Sequence, residues 1–370
     1  MRKRLGCDGL LIVVTGGMLA LWSGILLLSP PKARSETENR FLQTLSVPSL
    51  EEVWDGSFSR ELSAYCTDQF PLRTLWILGK GAGERLLGKG ENNGILFGRN
   101  GFLIPKGEYS SLEIAEKNLA ALSRFSEGRE GTLTALILPR HVDLLEDELP
   151  SGYSSLRSSL LAERLREEEG ILFPDGEWQG CANHLFRTDH HRTAEGAYAV
   201  YAYLGEKIGY DPLSREAFSW ECVSTSFLGS SHSRNGGIAD GADEIILLRY
   251  EGDTEYEICD LGTGEVTSSF YDFSALERKN QYEIFLGGNK AALRVTCSDR
   301  ERPRLLLIKD SFANNLIPLL ALHFDLTVLD LRYGIPSGIS PSDYDRILVL
   351  EGADTLATDS SLGRLSFLSP

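Results

Sequence analysis

Residues 305–308 are a continuous apolar run between Pro303 and Asp310-Ser311, the pattern of a strand buried on both faces. Residues 312–323 continue with apolar positions at helical spacing, so Ser311 is expected on a strand-to-helix turn. Similar apolar runs begin at Thr132, Ile171, Phe324 and Arg346, which with Arg304 gives about five strands, a usual sheet size. Helical periodicity covers residues 112–125, 155–168 and 194–208, and in the last of these Ala197, Tyr201, Leu204 and Ile208 share one face. Alternation around Asn100-Gly101 predicts a β-hairpin over residues 94–104. From about 211 to 300 the rhythm changes to short strand-like runs at 244–249, 256–260 and 265–269, separated by glycines. They read as a β-rich insertion. Strand alternating with helix predicts an α/β domain with a parallel, doubly wound sheet over residues 111–370. Residues 31–110 are expected to form a polar tether, a helical stretch reaching Leu87 and the hairpin.

The N-terminus differs in kind. Residues 10–28 are nineteen uncharged, mostly apolar positions preceded by Arg2, Lys3 and Arg4, long enough to cross a bilayer as a helix. Residues 1–30 are therefore expected to be a membrane anchor or a signal segment. The Pro-Pro-Lys-Ala-Arg stretch that follows lacks small residues in a cleavage pattern, which favours an anchor with the main domain outside the cell. A formal charge of −16 leaves no basic face for nucleic acid, and 42% hydrophobic residues suffice for a packed core. Cys66, Cys181, Cys222, Cys259 and Cys297 are scattered without zinc-site spacing.

The chemistry concentrates in two places. Asp310-Ser311 before a helix is first of all a good capping pair, and it becomes a nucleophile site only if a base accompanies it. Asp189-His190-His191, in a chain with 6 histidines, supplies one. An imidazole takes the serine proton, and a carboxylate fixes its tautomer. Ser311, His191 and Asp189 provide the three types, with His190 a neighbouring candidate. The same cluster with His184 also offers ligand types suited to zinc or iron, but the side chains of adjacent histidines diverge and that reading leaves Ser311 unexplained. Gly287-Gly288-Asn289 is either a plain turn or a source of oxyanion donors.

Residues 188–198, from Thr188 to Tyr198, resemble the signature of the bacterial DHHW family, named for Asp-His-His-Trp. Asp68-Gln69-Phe70-Pro71-Leu72-Arg73, residues 94–103, residues 285–289 and Ile308-Lys309-Asp310-Ser311-Phe312-Ala313-Asn314 match in the same order. That family is similar to SGNH-like esterases and O-acetyltransferases of secreted polysaccharides, the alginate O-acetylation type among them. The resemblance implies an SGNH-hydrolase-like three-layer αβα fold and a site with nucleophile Ser311, base His191 and carboxylate Asp189. Gly288, Asn289, His190, Arg192 and Asn314 are implied as substrate or oxyanion contacts. It further implies a carbohydrate polymer and an acyl donor as partners, with no cofactor and no metal. Asp310-Ser311 resembles the Gly-Asp-Ser block of SGNH hydrolases with the order permuted, serine last. Arg192 departs from the family pattern, which has tryptophan there. The expected function is an extracellular acyl-ester hydrolase or O-acyltransferase. The alternatives are a non-catalytic polysaccharide-binding protein with a degenerate site and a metal-dependent hydrolase.

Overall fold

A computed structural model describes residues 7–35, 40–109, 111–153, 159–250, 252, 255–297 and 301–368. The basic residues before the apolar run, residues 36–39 of the expected tether and the first residues of the helix expected from 155 lie outside these. Contact density divides the chain into two units: Met1–Lys89 with Gly236–Ile238, and Gly90–Asn235 with Ala239–Pro370.

In the first unit, Cys7–Leu28 is one helix, long and apolar enough to cross a membrane. Three further helices follow, Leu50–Trp54, Ser57–Asp68 and Arg73–Leu86. Ser49 and Glu52 cap the first reciprocally, each side chain accepting from the other's backbone N–H. Pro71 ends the second, because its ring disfavours helical geometry before it and it has no N–H to give.

The second unit is built on an eight-stranded sheet. Across it the strands run Val266–Thr267, Tyr256–Asp260, Ala292–Cys297, Asp325–Leu329, Arg304–Lys309, Arg346–Gly352, Leu133–Leu138 and Ile171–Leu172. The last five are mutually parallel and correspond to the five runs read from sequence. The first three extend the sheet antiparallel. Side chains alternate between its faces, so the apolar run 305–308 of strand Arg304–Lys309 feeds two cores. Leu305 and Leu307 join one cluster with Val200, Tyr201 and Leu204 of helix Ala194–Ile208, whereas Leu306 and Ile308 join another with Leu119 and Leu122 of helix Glu113–Ser126. Burial on both faces explains why these strands are apolar runs and not alternating ones. The hairpin forms as strands Ile95–Phe97 and Leu103–Pro105, with Asn100 and Gly101 both at positive φ in the turn.

Strands Phe218–Phe227 and Asp243–Tyr250 stand apart from the sheet as an antiparallel ribbon with two register shifts. Their Phe227, Ile245 and Leu247 form a third apolar cluster with Phe186, Tyr282, Ile284 and Phe285. The ribbon is thereby packed against the two segments that flank the site.

One local expectation is corrected. No continuous helix runs from Phe312 to His323. Ser311–Ala313 is a single 3-10 turn, followed only by the short helix Ile317–Leu320. Pro318 has no N–H to donate to the carbonyl of Asn314, and the Asn314 and Asn315 side chains bond outward instead.

Candidate functional site

Ser311 follows the carboxyl end of strand Arg304–Lys309, where parallel sheets expose their loops. The turn is closed by Asp310, whose Oδ1 accepts the Phe312 N–H at 2.9 Å and whose Oδ2 accepts the Gly352 N–H of the next strand at 2.9 Å. Opposite it, Asp189 Oδ1 accepts from the His191 N–H at 2.9 Å and lies 2.5 Å from His191 Nδ1. His191 Nε2 lies 2.9 Å from Ser311 Oγ. With Nδ1–H donated to the carboxylate, Nε2 is the acceptor for the serine O–H.

Burial pushes the Asp189 carboxyl up, but the facing His191 and His190 and the hydrogen bonds from His191 and Ser230 outweigh it and hold Asp189 well below the usual carboxylate range. It is an anion at neutral pH. Its second oxygen accepts the Ser230 N–H at 2.6 Å. The His191 ring lies parallel to Tyr282, 3.9 Å between centroids with an 8° tilt, and the Tyr282 hydroxyl donates to the Ser311 carbonyl at 3.4 Å. Burial, with Asp189 and Asp310 nearby, keeps the Tyr282 phenol well above its ordinary value and neutral.

Contrary to the expectation that adjacent histidine side chains diverge, the two rings lie side by side, and His190 differs only in its bonding partner. Its Nδ1 pairs with the Ser230 hydroxyl and its ring lies 3.9 Å from that of His191. Burial, reinforced by His191, pushes it down to about 4. His190 and Ser230 form one wall of a cleft of about 430 Å³ that also has Tyr109, Arg234 and Asp354 in its lining. Asn314 reaches beneath the turn to Lys309 and sideways to Asn289.

Two of the expected contacts turn elsewhere. The Gly288 N–H is spent on the Phe285 carbonyl at 3.1 Å. The Arg192 guanidinium is buried against Trp178, 4.6 Å from the ring centroid, with the Pro139 carbonyl at 3.5 Å. Burial lowers Arg192 to about 9. It occupies the interior behind the site, a place where an aromatic ring would pack.

Asp189, His190 and His191 also present one possible metal-ligand atom each within 4.8 Å of one another. Binding an ion there would break the bonds just described, since Asp189 Oδ1 and both ring nitrogens of His191 are engaged within the chain. His184 is not part of that group among the described residues.

Residues 181–329 match the model of the DHHW protein family. The DHHW region therefore holds Asp189, His191 and Ser311 together with Asn289 and Tyr282. Among solved structures, the chain is similar to a DHHW family protein from Eubacterium siraeum, with TM-score 0.58 and 18% identity over 75% of this chain and 96% of that one. It is similar also to Bacillus cereus PatB1 solved with a sulfonyl adduct, with TM-score 0.57 and 18% identity over 73% and 97%. At such identity the likeness is one of fold. No curated protein sequence matches the chain.

Sequence reasoning missed Ser230, Tyr282 and Lys309. Only Lys309 left a signal, a charge at the end of a buried apolar strand.

Proposed function

We propose that the protein is an SGNH-like acyl-ester hydrolase or O-acyltransferase acting outside the cell on a cell-envelope or secreted carbohydrate, with Ser311 as nucleophile, His191 as base and Asp189 as its orienting carboxylate. The observation that carries this is the hydrogen-bonded chain from Asp189 through His191 to Ser311, at 2.5 and 2.9 Å, at the carboxyl edge of the sheet. The DHHW match and the three-layer SGNH-like arrangement implied by it agree with that chemistry.

In the forward step Ser311 Oγ attacks the acyl carbonyl carbon while its proton passes to His191 Nε2. Asp189 stabilises the imidazolium. The tetrahedral oxyanion is met by the Ser311 N–H, which donates to no group among the described residues, and by the Asn289 side chain. Collapse breaks the bond to the leaving oxygen, which takes the proton from His191. The acyl-serine is then resolved by water or by a sugar hydroxyl, whose proton goes to His191 and then to Ser311 Oγ. The cleft beside His190 is where that hydroxyl would arrive, and the N-terminal helix would anchor the chain at the membrane.

Labelling with a sulfonyl fluoride, read by mass spectrometry, tests the reading. The adduct is expected on Ser311 and absent in Ser311→Ala. A folded wild-type protein that takes no label and turns over no acyl ester would leave the polysaccharide-binding reading in its place.

A further inference from the structure

Lys309 is a buried lysine, 2% exposed, directly beneath the Ser311 turn. An ammonium has three donors and no acceptor. The atom of Asn314 that faces Lys309 Nζ at 2.8 Å is therefore its carbonyl oxygen, Oδ1. That choice decides the next one. The amide of Asn314 must point Nδ2 the other way, where it meets Asn289 at 3.0 Å, and the Asn289 atom that accepts a donor is Oδ1. The Asn289 Nδ2 group then stands at the end of the chain with no hydrogen bond of its own among the described residues. An asparagine side chain is nearly the same shape either way round. Without a donor-only group at the root of the chain, both amides could turn over together and present an oxygen instead.

The end of this chain belongs to the nucleophile's surroundings. Asn314 is three residues past Ser311 and gives its N–H to the Ser311 carbonyl at 3.2 Å. Tyr282, from the same segment as Asn289, covers the His191 ring and reaches the Ser311 carbonyl. Between them, Leu286, Gly287 and Gly288 all have positive φ, at 65°, 67° and 96°. A leucine in that region is strained, and such strain persists only where the surroundings fix the backbone. Asp330 keeps Lys309 in place at 3.4 Å and is itself held by Arg332 at 2.8 and 2.6 Å.

We propose that Lys309 is a positioning residue that sets the direction of the Asn314 and Asn289 amides, so that Asn289 presents an N–H and not an oxygen to the oxyanion formed at Ser311. This rests on the acyl-transfer reading above. Lys309 touches no substrate; burial lowers its pKa, and the Asp330 carboxylate counters this and favours the ammonium. Its part is to make one of two equally shaped amide arrangements the only one populated.

The test compares three variants of the full chain in turnover of p-nitrophenyl acetate, with Tm and Ser311 labelling recorded for each. Asn314→Asp still accepts from Lys309 with one oxygen but offers Asn289 a second oxygen. Asn289 must then reverse, and kcat is expected to fall on the order of 10²–10³-fold with KM little changed, the loss typical of one oxyanion donor. Asn289→Ala should match it. Lys309→Met removes the director without reversing the amides, so both arrangements are populated and kcat should fall far less, about twofold for equal populations. Its Tm, however, should fall furthest, because a buried carboxylate loses a partner. A merely structural lysine gives the opposite order, with activity tracking Tm. A labelled wild type combined with full activity in Asn314→Asp would overturn the relay alone, and this outcome does not depend on whether Lys309→Met folds. A wild type that neither labels nor turns over ester would remove the acyl-transfer reading and the relay with it.

Discussion

The Ser311 turn and the Asp189-His191 turn meet within hydrogen-bond distance, yet they are held by different parts of the chain. Asp310 closes the first through its own neighbour Phe312 and through Gly352 at the end of the adjoining parallel strand. The second is held from the ribbon. Asp243 accepts the N–H groups of Arg187 and Thr188 at 2.9 and 2.7 Å, Thr188 Oγ1 accepts the Gly229 N–H at 3.1 Å, and the His232 N–H bonds the Thr188 carbonyl at 3.0 Å. Ser311 is thus placed by the sheet, and the Asp189-His191 turn by a segment some forty to fifty-five positions further along the sequence.

The largest effects come from deleting either half outright. Ser311→Ala and His191→Ala are each expected to cut acyl-ester turnover by roughly 10⁴-fold or more, and the double variant by no more than either alone, because the residues act as a unit. Asp189→Asn should cost somewhat less but still orders of magnitude, since the imidazole is then held in the wrong tautomer. Steady-state kinetics on p-nitrophenyl acetate, with circular dichroism to show retained fold, decides this. Additive losses would mean that the two turns do not cooperate in one reaction.

A subtler variant separates the two supports. Gly229 has an ordinary φ of −82°, so its conformation does not demand glycine, but a Cβ there would stand 2.3 Å from both Cβ and Oδ2 of Asp189. Gly229→Ala should push the carboxylate off His191 and lower kcat by about 10²-fold, the scale of a displacement near 1 Å. At Gly352, in the other turn, an added Cβ would stand 2.5 Å from the Phe312 ring, so Gly352→Ala presses on a side chain, not on the carboxylate. If Gly229→Ala is as active as wild type, the ribbon does not set the position of Asp189.

This contrast also explains what could be read from the sequence. The central parallel strands were legible because burial on both faces leaves a largely apolar run, and the place of Ser311 followed from local turn chemistry, whereas the preference for His191 over His190 rests on the resemblance to the DHHW signature. The ribbon strand Phe218–Phe227 was missed. Its burial alternates irregularly through two register shifts, so no period-2 pattern survives. Ala292–Cys297 escaped for a related reason, since Arg294 breaks the run at an exposed position. Ser230 and Tyr282 act through contacts across 41 and 29 positions, and nothing in their immediate neighbours marks them. The helix expected after Ser311 was overridden by Pro318 and by the outward bonds of Asn314 and Asn315.

Acid should loosen the half that carries Asp189 and His191 first. His141, in the short helix His141–Leu144 that follows strand Leu133–Leu138, pairs its Nε2 with the carbonyl of Phe186, just upstream of Asp189, at 3.0 Å, and it is 3% exposed. Burial pushes His141 from 6.5 down to about 4. The unfolded chain therefore takes a proton near pH 6.5 that the folded chain refuses, so the stability tied to this group is complete above 6.5 and drains away as the pH falls towards 4. The loss is on the order of 3 kcal/mol. Urea unfolding at several pH values should show that slope in wild type and a flatter one in His141→Leu. An equal slope in both would assign the window to His190, which is lowered into the same range.

The smallest expected effect is at Asp243, and it asks whether the ribbon's grip is chemical or only steric. Asp243 is buried, and its Oδ2 accepts both the N–H and, at 2.6 Å, the hydroxyl of Thr188, while Oδ1 accepts the Arg187 N–H. In Asp243→Asn only one oxygen remains. Its best use is towards Thr188, where two donors converge, which leaves the new amide NH2 facing the Arg187 N–H with no acceptor between them. The Arg187 N–H and the new amide NH2 then both lack an acceptor, and the ion pair of the Arg187 guanidinium with Asp243 is lost, at a cost of about 1–3 kcal/mol in stability for each buried donor left unpaired. The Thr188 bonds survive, so Asp189 should shift only slightly, and kcat should fall about tenfold, less than in Gly229→Ala. Thermal unfolding and kcat measured on the same preparation check this. A lowered Tm with unchanged kcat would show that Asp243 secures the ribbon without steering the base, whereas a loss as large as that of Gly229→Ala would show that hydrogen bonding, more than contact, holds the Asp189-His191 turn against Ser311.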